Sequence, residues 1–235
     1  MQELLHGAGI FFACVIPAVL VACLARWRLK VPDELFRKLL HFLLLALYGV
    51  ILFSFAHWQV AALFAALLAL IFYPALTLIG KIPAFSSFVN ERKRGEFRTS
   101  LILAMCVMAV SISICWGWLN DKLLVLACIY AWGVGDGFAA LVGKRFGKHT
   151  FHFRFADPHK SKEGSAAMFL TSSIAVLAVM LVRGGLGFGS CLAVSLAAAA
   201  VSTAVELCST GGYDTITCPA AAMAVILPLV QLLGR

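Results

Sequence analysis

Asp136 stands at the end of a hydrophobic run, LLVLACIYAWGV, where a carboxylate beside hydrocarbon is costly unless it is paired, hydrated or bound to something. Within a few turns the chain changes character, through Gly143 and Gly147 to Lys144, Arg145 and Lys148. A second cationic cluster follows, in which Lys160 and Lys162 straddle Ser161, and Glu163, Gly164 and Ser165 lead into the next apolar run. Carboxylate oxygens suit hard divalent cations, and ammonium and guanidinium groups suit phosphate oxygens. Residues 133 to 169 therefore read as a site for nucleotide phosphates at a membrane surface.

Two further acids belong to the same problem. Glu206 follows AAAAVSTAV and is as expensive in an apolar setting as Asp136. Asp214, in GGYDTITCP, either caps the helix that follows or joins the other two acids. At RKLLHF, Arg37 and His41 are four apart and share a helical face with Lys38 beside them, which suits either a topological anchor or a phosphate clamp. Glu96, in a basic loop, reads as a surface charge partner. His6, His57, His149, His152 and His159 show no ligand spacing and receive no role.

The elements that position these groups are membrane helices. Of 235 residues, 62% are hydrophobic and 13% charged, well outside the range of a soluble domain. Apolar runs of bilayer-spanning length recur at 7–25, 39–56, 58–80, 100–119, 122–143, 165–183, 188–208 and 216–233. The expected fold is all-α: a polytopic bundle of about eight transmembrane helices forming one membrane domain over 1–235. No basic segment precedes the first run, so it reads as a retained helix instead of a cleaved leader. The eight cysteines form no C-x-x-C pair and read as small buried hydrophobes.

Charge sets the expected orientation. The segments 26–38, 81–99 and 144–164 hold 16 of the 19 cations, leaving Lys122, Arg183 and Arg235 for the other side. By the positive-inside rule those loops are cytoplasmic and both termini lie outside. This distribution also explains the net charge of +8 without nucleic acid. The same alternation puts the 207–215 turn on the cytoplasmic face, so Asp136, Glu206 and Asp214 are expected to meet there.

The spacing Asp136, Ala140, Gly143, Gly147 gives one helical face on which a ligand or another helix approaches the backbone closely. It is not a Walker A loop: Phe138 and Val142 stand where the first glycine would be, and no Ser or Thr follows either lysine. The start of the helix after Lys162 is a second place where backbone amides and cations suit an anion.

With these residues in view, the chain resembles the CTP-dependent lipid-alcohol kinases, among them dolichol kinase, phytol kinase and the fungal-type diacylglycerol kinase. The matching pieces are RKLLH at 37–41, RGE at 94–96, GDGFAALVGKRFGK at 135–148, KSKEGSAAMF at 160–169, Glu206, and YDTITCPAAAM at 213–223. Thr215 stands where the family usually has Asn. The resemblance implies transfer of the γ-phosphate of CTP to a membrane lipid alcohol, with Mg²⁺ held by Asp136, Glu206 and Asp214. Asp136, Glu206 and Lys160 are then the catalytic candidates. Arg37, Lys38, Gly143, Lys144, Gly147, Lys148, Lys160, Ser161, Lys162, Glu163, Gly164 and Ser165 are the nucleotide-binding candidates. The central motif also resembles phosphatidate cytidylyltransferase, whose glycine-histidine-glycine signature near the C-terminus is absent here. A transporter, a third possibility, would need an acid-lined route through the whole bundle, whereas these motifs gather on one side.

Overall fold

The structure, a computed structural model, describes residues 1–82, 85, 95–151, 160–209 and 212–234. His152, His159 and Arg235, named above, and Arg94 of the RGE stretch lie outside the described residues, as do Arg92, Lys93 and Arg154 of the cationic segments. Among the described residues, eight helices are long and apolar enough to cross a bilayer. They are α1 (Gln2–Leu29), α2 (Asp33–Ser54), α3 (Trp58–Ile79), α4 (Glu96–Ser111, running on as π-helical turns through Ile112–Trp118), α5 (Lys122–Phe146), α6 (Lys162–Arg183), α7 (Phe188–Cys208) and α8 (Asp214–Leu233). Among the described residues the one β-type pairing is a single antiparallel bridge between Thr150 and Ser161. The chain is an integral, multi-pass, all-α membrane protein.

Each expected span corresponds to one helix, but several helices begin earlier than hydropathy indicates. α1 starts at Gln2, α4 at Glu96, α6 at Lys162 and α8 at Asp214. Hydropathy registers apolar turns only, whereas helical hydrogen bonding continues into polar flanks that no longer sit in hydrocarbon. Those extra turns carry Glu96, Lys162, Glu163 and Asp214.

The chain divides into two compact units, Met1–Trp118 and Leu119–Arg235. In the first, α1 packs on α2 and α3 on α4. Phe64 meets the rings of Phe11 and Phe55 at 5.3 and 5.2 Å, and Tyr48, Ile51 and Leu52 are fully buried nearby in sequence on α2. Glu3 fastens α1 to the α2–α3 turn by accepting from the amides of Ala56 (2.8 Å) and His57 (3.0 Å).

In the second unit α5 is buried nearly all round from Leu124 to Trp132, the pattern of a central helix. The other three helices each turn a regular stripe inward: Gly164, Met168, Ser172, Val176 and Met180 on α6, Val194, Ala198, Ser202 and Glu206 on α7, and Cys218, Ala222, Ile226 and Val230 on α8. The stripes are rich in small side chains, which bring helix backbones close in lipid. α6 runs antiparallel to α5, with Ser172 Oγ donating to the Ala131 carbonyl at 2.6 Å.

Candidate active site

The α5–α6 seam is built first. A methyl group placed on Gly147 would meet Ser161 Oγ at 2.7 Å and Cβ at 2.8 Å, and one on Gly164 would meet the Ala139 carbonyl at 3.0 Å. Gly143 faces Ser161 and Gly164 in the same way, at 3.2 and 3.6 Å. The room beside Gly143 and Gly147 is thus taken by the start of α6, and the room beside Gly164 by α5. Ser161 caps that helix, its Oγ accepting from the Gly164 amide at 3.1 Å, and the Ser165 amide donates to the Ser161 carbonyl at 3.0 Å. Glu163 ties the loop end of α5 to the start of α6: its carboxylate accepts from the amides of Lys148 (3.2 Å) and His149 (3.4 Å) and meets His149 Nδ1 at 2.6 Å.

This seam sets the height of Asp136, half-buried on α5 among the buried glycines 133, 135 and 137. Trp132 lies four residues earlier, on the same face of α5. Its indole N–H donates to Asp214 Oδ2 at 3.4 Å, which draws the start of α8 to that face. Asp214 is the first residue of α8, and the cap position belongs to Tyr213, without a side-chain cap bond. The capping reading of Asp214 is therefore replaced by a contact with α5.

Glu206 completes the group from α7. It is 6% exposed, and Lys160 Nζ binds its Oε1 at 2.8 Å. The same ammonium donates to the carbonyls of Glu206 and of Ser209, the latter at 3.0 Å. The charges of Asp136 and Asp214 are both felt at Glu206, so acids from α5, α7 and α8 share one electrostatic field. Among the described residues no three or more His, Cys, Asp or Glu side chains draw together as a ready-made metal cage.

One turn before Glu206, Ser202 Oγ is buried without a hydrogen-bond partner, as is Thr203 Oγ1. Other helical hydroxyls close onto the carbonyl four residues earlier, as Ser195 does on Cys191 at 2.6 Å and Ser173 on Phe169 at 2.7 Å, although Ser111 Oγ is likewise buried without a partner. Lys144, Lys148 and Lys162 are exposed at the ends of the α5–α6 loop. Two cavities lie elsewhere: one of about 290 Å³ beside Arg98 in the first unit, and one of about 360 Å³ beside Asp121 and Arg183 at the opposite end of the second.

In the first unit, Arg37 bridges Glu34 at 2.7 Å and Glu96 at 3.7 Å, which joins the RKLLH stretch to the start of α4. Glu96 is thus the charge partner its surroundings suggested. Lys38 is buried at 7% exposure.

Two positioning residues escape a reading of the sequence. His149 carries no ligand spacing, yet it holds Glu163. Trp132 looks like one more apolar residue of α5, and only the conjunction of an indole with an acid four residues on hints at a polar duty.

Comparison with known families gives a match over most of the chain. Residues 4–211 fit the model of the cytidylyltransferase family, a match that takes in Asp136, Lys160 and Glu206 and stops before Asp214. The chain belongs to the cytidylyltransferase family. That family contains CTP-dependent lipid kinases of the dolichol kinase and phytol kinase kind, and membership supports an enzyme of CTP-linked lipid modification. No curated protein and no solved structure matches the chain.

Proposed function

We propose that this member of the cytidylyltransferase family is a CTP-dependent lipid-alcohol kinase, which phosphorylates a polyprenol, a phytol-like isoprenoid or diacylglycerol. The observation that carries the reading is the tie of Asp214 to Trp132, four residues before Asp136, and of Glu206 to Lys160, with exposed lysines on the adjoining loop. The lipid's hydroxyl oxygen bonds to the γ-phosphorus of CTP, and the bond to the β–γ bridging oxygen breaks with its electron pair leaving on CDP. The hydroxyl proton passes to a carboxylate, Asp136 or Glu206. Such transfer asks the protein mainly to position the reactants and neutralise charge. Lys144, Lys148 and Lys162 have the charge and exposure to meet the triphosphate.

Mg²⁺, when bound, supplies charge neutralisation on the phosphate oxygens, and Asp136 with Glu206 or Asp214 would hold it. The residues fit this ion. It takes one or two carboxylates and completes its shell with phosphate and water oxygens, so a three-residue protein cage is not required. The unpartnered hydroxyl of Ser202, beneath Glu206, also suits a site that receives a polar group. The distribution of cations supports a cytoplasmic position for this end of the second unit and outside termini. The sequence also nominates Arg37 and Lys38, and charge-removing variants of each decide whether nucleotide affinity depends on them.

The family's own description favours a second reading, cytidylyl transfer. There a lipid phosphate oxygen attacks the α-phosphorus and pyrophosphate leaves. CTP labelled at both α and γ positions, given to the purified enzyme with Mg²⁺ and a panel of polyprenol, phytol, diacylglycerol and phosphatidate, separates the two. γ-Label on an alcohol is the expected result. α-Label on phosphatidate with release of pyrophosphate would replace the kinase by a cytidylyltransferase, and transfer of neither label would return weight to a transport role.

A further inference from the structure

We infer that Lys160 is a positioning residue that holds the Glu206 carboxylate in place, and that it is not a phosphate ligand. What Glu206 does in turnover rests on the kinase reading above, whereas the duty of Lys160 rests on geometry. A lysine ammonium has three N–H donors and no acceptor. Three acceptors at the end of α7 surround it: Glu206 Oε1, the Glu206 carbonyl and the Ser209 carbonyl. The ammonium is saturated by these contacts and has no donor left for a phosphate oxygen.

The location has its own physical cause. The last carbonyls of a helix lack intrahelical partners and carry the negative end of its dipole, so a cation there is favoured. Lys160 precedes the cap of α6, Ser161, whose Oγ is fixed against Gly147 and Gly164 by the glycine seam. The chain therefore delivers the ammonium from a rigid helix start to a rigid helix end. Glu206 receives its countercharge from the same atom that satisfies its own carbonyl, which fixes the carboxylate's direction as well as its charge. Without Lys160, a nearly buried carboxylate would stand in the field of Asp136 and Asp214 with no cation against it. Lys148 and Lys162, by contrast, are exposed, and phosphate binding falls to them.

The test is a double-mutant cycle on the full-length enzyme in detergent, with Lys160→Met, Lys160→Arg, Glu206→Gln and the Lys160→Met/Glu206→Gln pair. The quantities measured are kcat per CTP-binding site, KM for CTP, and the thermal unfolding midpoint. Lys160→Met is expected to lower kcat by about 10²-fold, the scale of a misplaced reacting group, while KM for CTP stays within about threefold. Lys160→Arg is expected to recover at least about a tenfold part of that loss, and the double variant to be no slower than Glu206→Gln alone. A rise of tenfold or more in KM for CTP with kcat retained, or losses that multiply in the double variant, would make Lys160 a phosphate ligand and overturn the inference. So would an unchanged kcat per binding site, the mark of a purely structural residue. If the wild-type enzyme transfers no label from CTP, the kinase reading falls separately. The same cycle read in unfolding midpoints then decides: coupled losses uphold the Lys160–Glu206 contact and additive losses refute it.

Discussion

The two ends of the second unit treat charge in opposite ways. At one end Asp121 caps α5, accepting from the amides of Leu123 and Leu124 at 3.0 and 3.2 Å, while its other oxygen accepts from Arg183 Nε at 2.5 Å. Acid and base match one to one, and each also serves a helix terminus. At the other end three acids share one field, and Lys160 answers Glu206 alone in the contacts described above. Repulsion among carboxylates in a poorly solvated place does not help folding. A one-to-one pair at two helix termini suits an end built for stability, and acids from three helices beside exposed lysines suit an end that works, which is the reading proposed above.

This contrast can be broken by substitution. The largest effect belongs to Asp136→Asn, which is expected to lower turnover by about 10³-fold, the scale of a lost electrostatic contact to the transferring group. The variant should remain folded and extractable, and near-normal activity in it would sink the ligand assignment. Asp121→Ala should do the reverse. It removes a cap and strands Arg183, costing about 3 kcal/mol in chemical unfolding, with kcat per folded molecule unchanged. A marked fall in kcat there would erase the distinction between the ends.

Smaller changes sharpen the picture. Trp132→Phe keeps a ring in the core but removes the N–H that holds Asp214, and about a tenfold drop in kcat at nearly constant KM for CTP is expected. Activity equal to wild type would mean that Asp214 needs no anchor from α5. His149→Ala should have the smallest effect, because this side chain is 70% exposed and its pairing with Glu163 is largely solvated. No measurable change in midpoint is predicted, and a large one would show that the loop is held mainly through this histidine.

Much of the architecture was legible before any coordinates. Bilayer thickness fixes the length of an apolar run, so eight helices could be counted directly. The parity of that count placed the α5–α6 loop and the α7–α8 turn on one side, which is how acids 70 and more residues apart in sequence could be expected to meet. Asp136 and Glu206 stood out because ionised groups are costly in hydrocarbon. The glycine face on α5 was visible too, although its spacing admits a ligand or a helix equally, and the structure puts α6 there.

Other features had no local signature. The acceptors that saturate Lys160 are mostly backbone carbonyls, which every residue type possesses, so the lysine looked like one more phosphate cation. The bond from Trp132 to Asp214 joins residues 82 apart, and no spacing rule connects an indole to an acid at that distance. The early starts of α4, α6 and α8 were hidden because polar turns are helical without being apolar.

The central claim is that CTP binds at the acid-rich end of the second unit. A photoreactive azido-CTP, crosslinked to the full-length protein in membranes and mapped by peptide mass spectrometry, tests it most directly. The account predicts label on peptides spanning 136–148 and 160–165, lost on competition with CTP. Label confined to peptides around Asp121 and Arg183, and competed equally well, would contradict it.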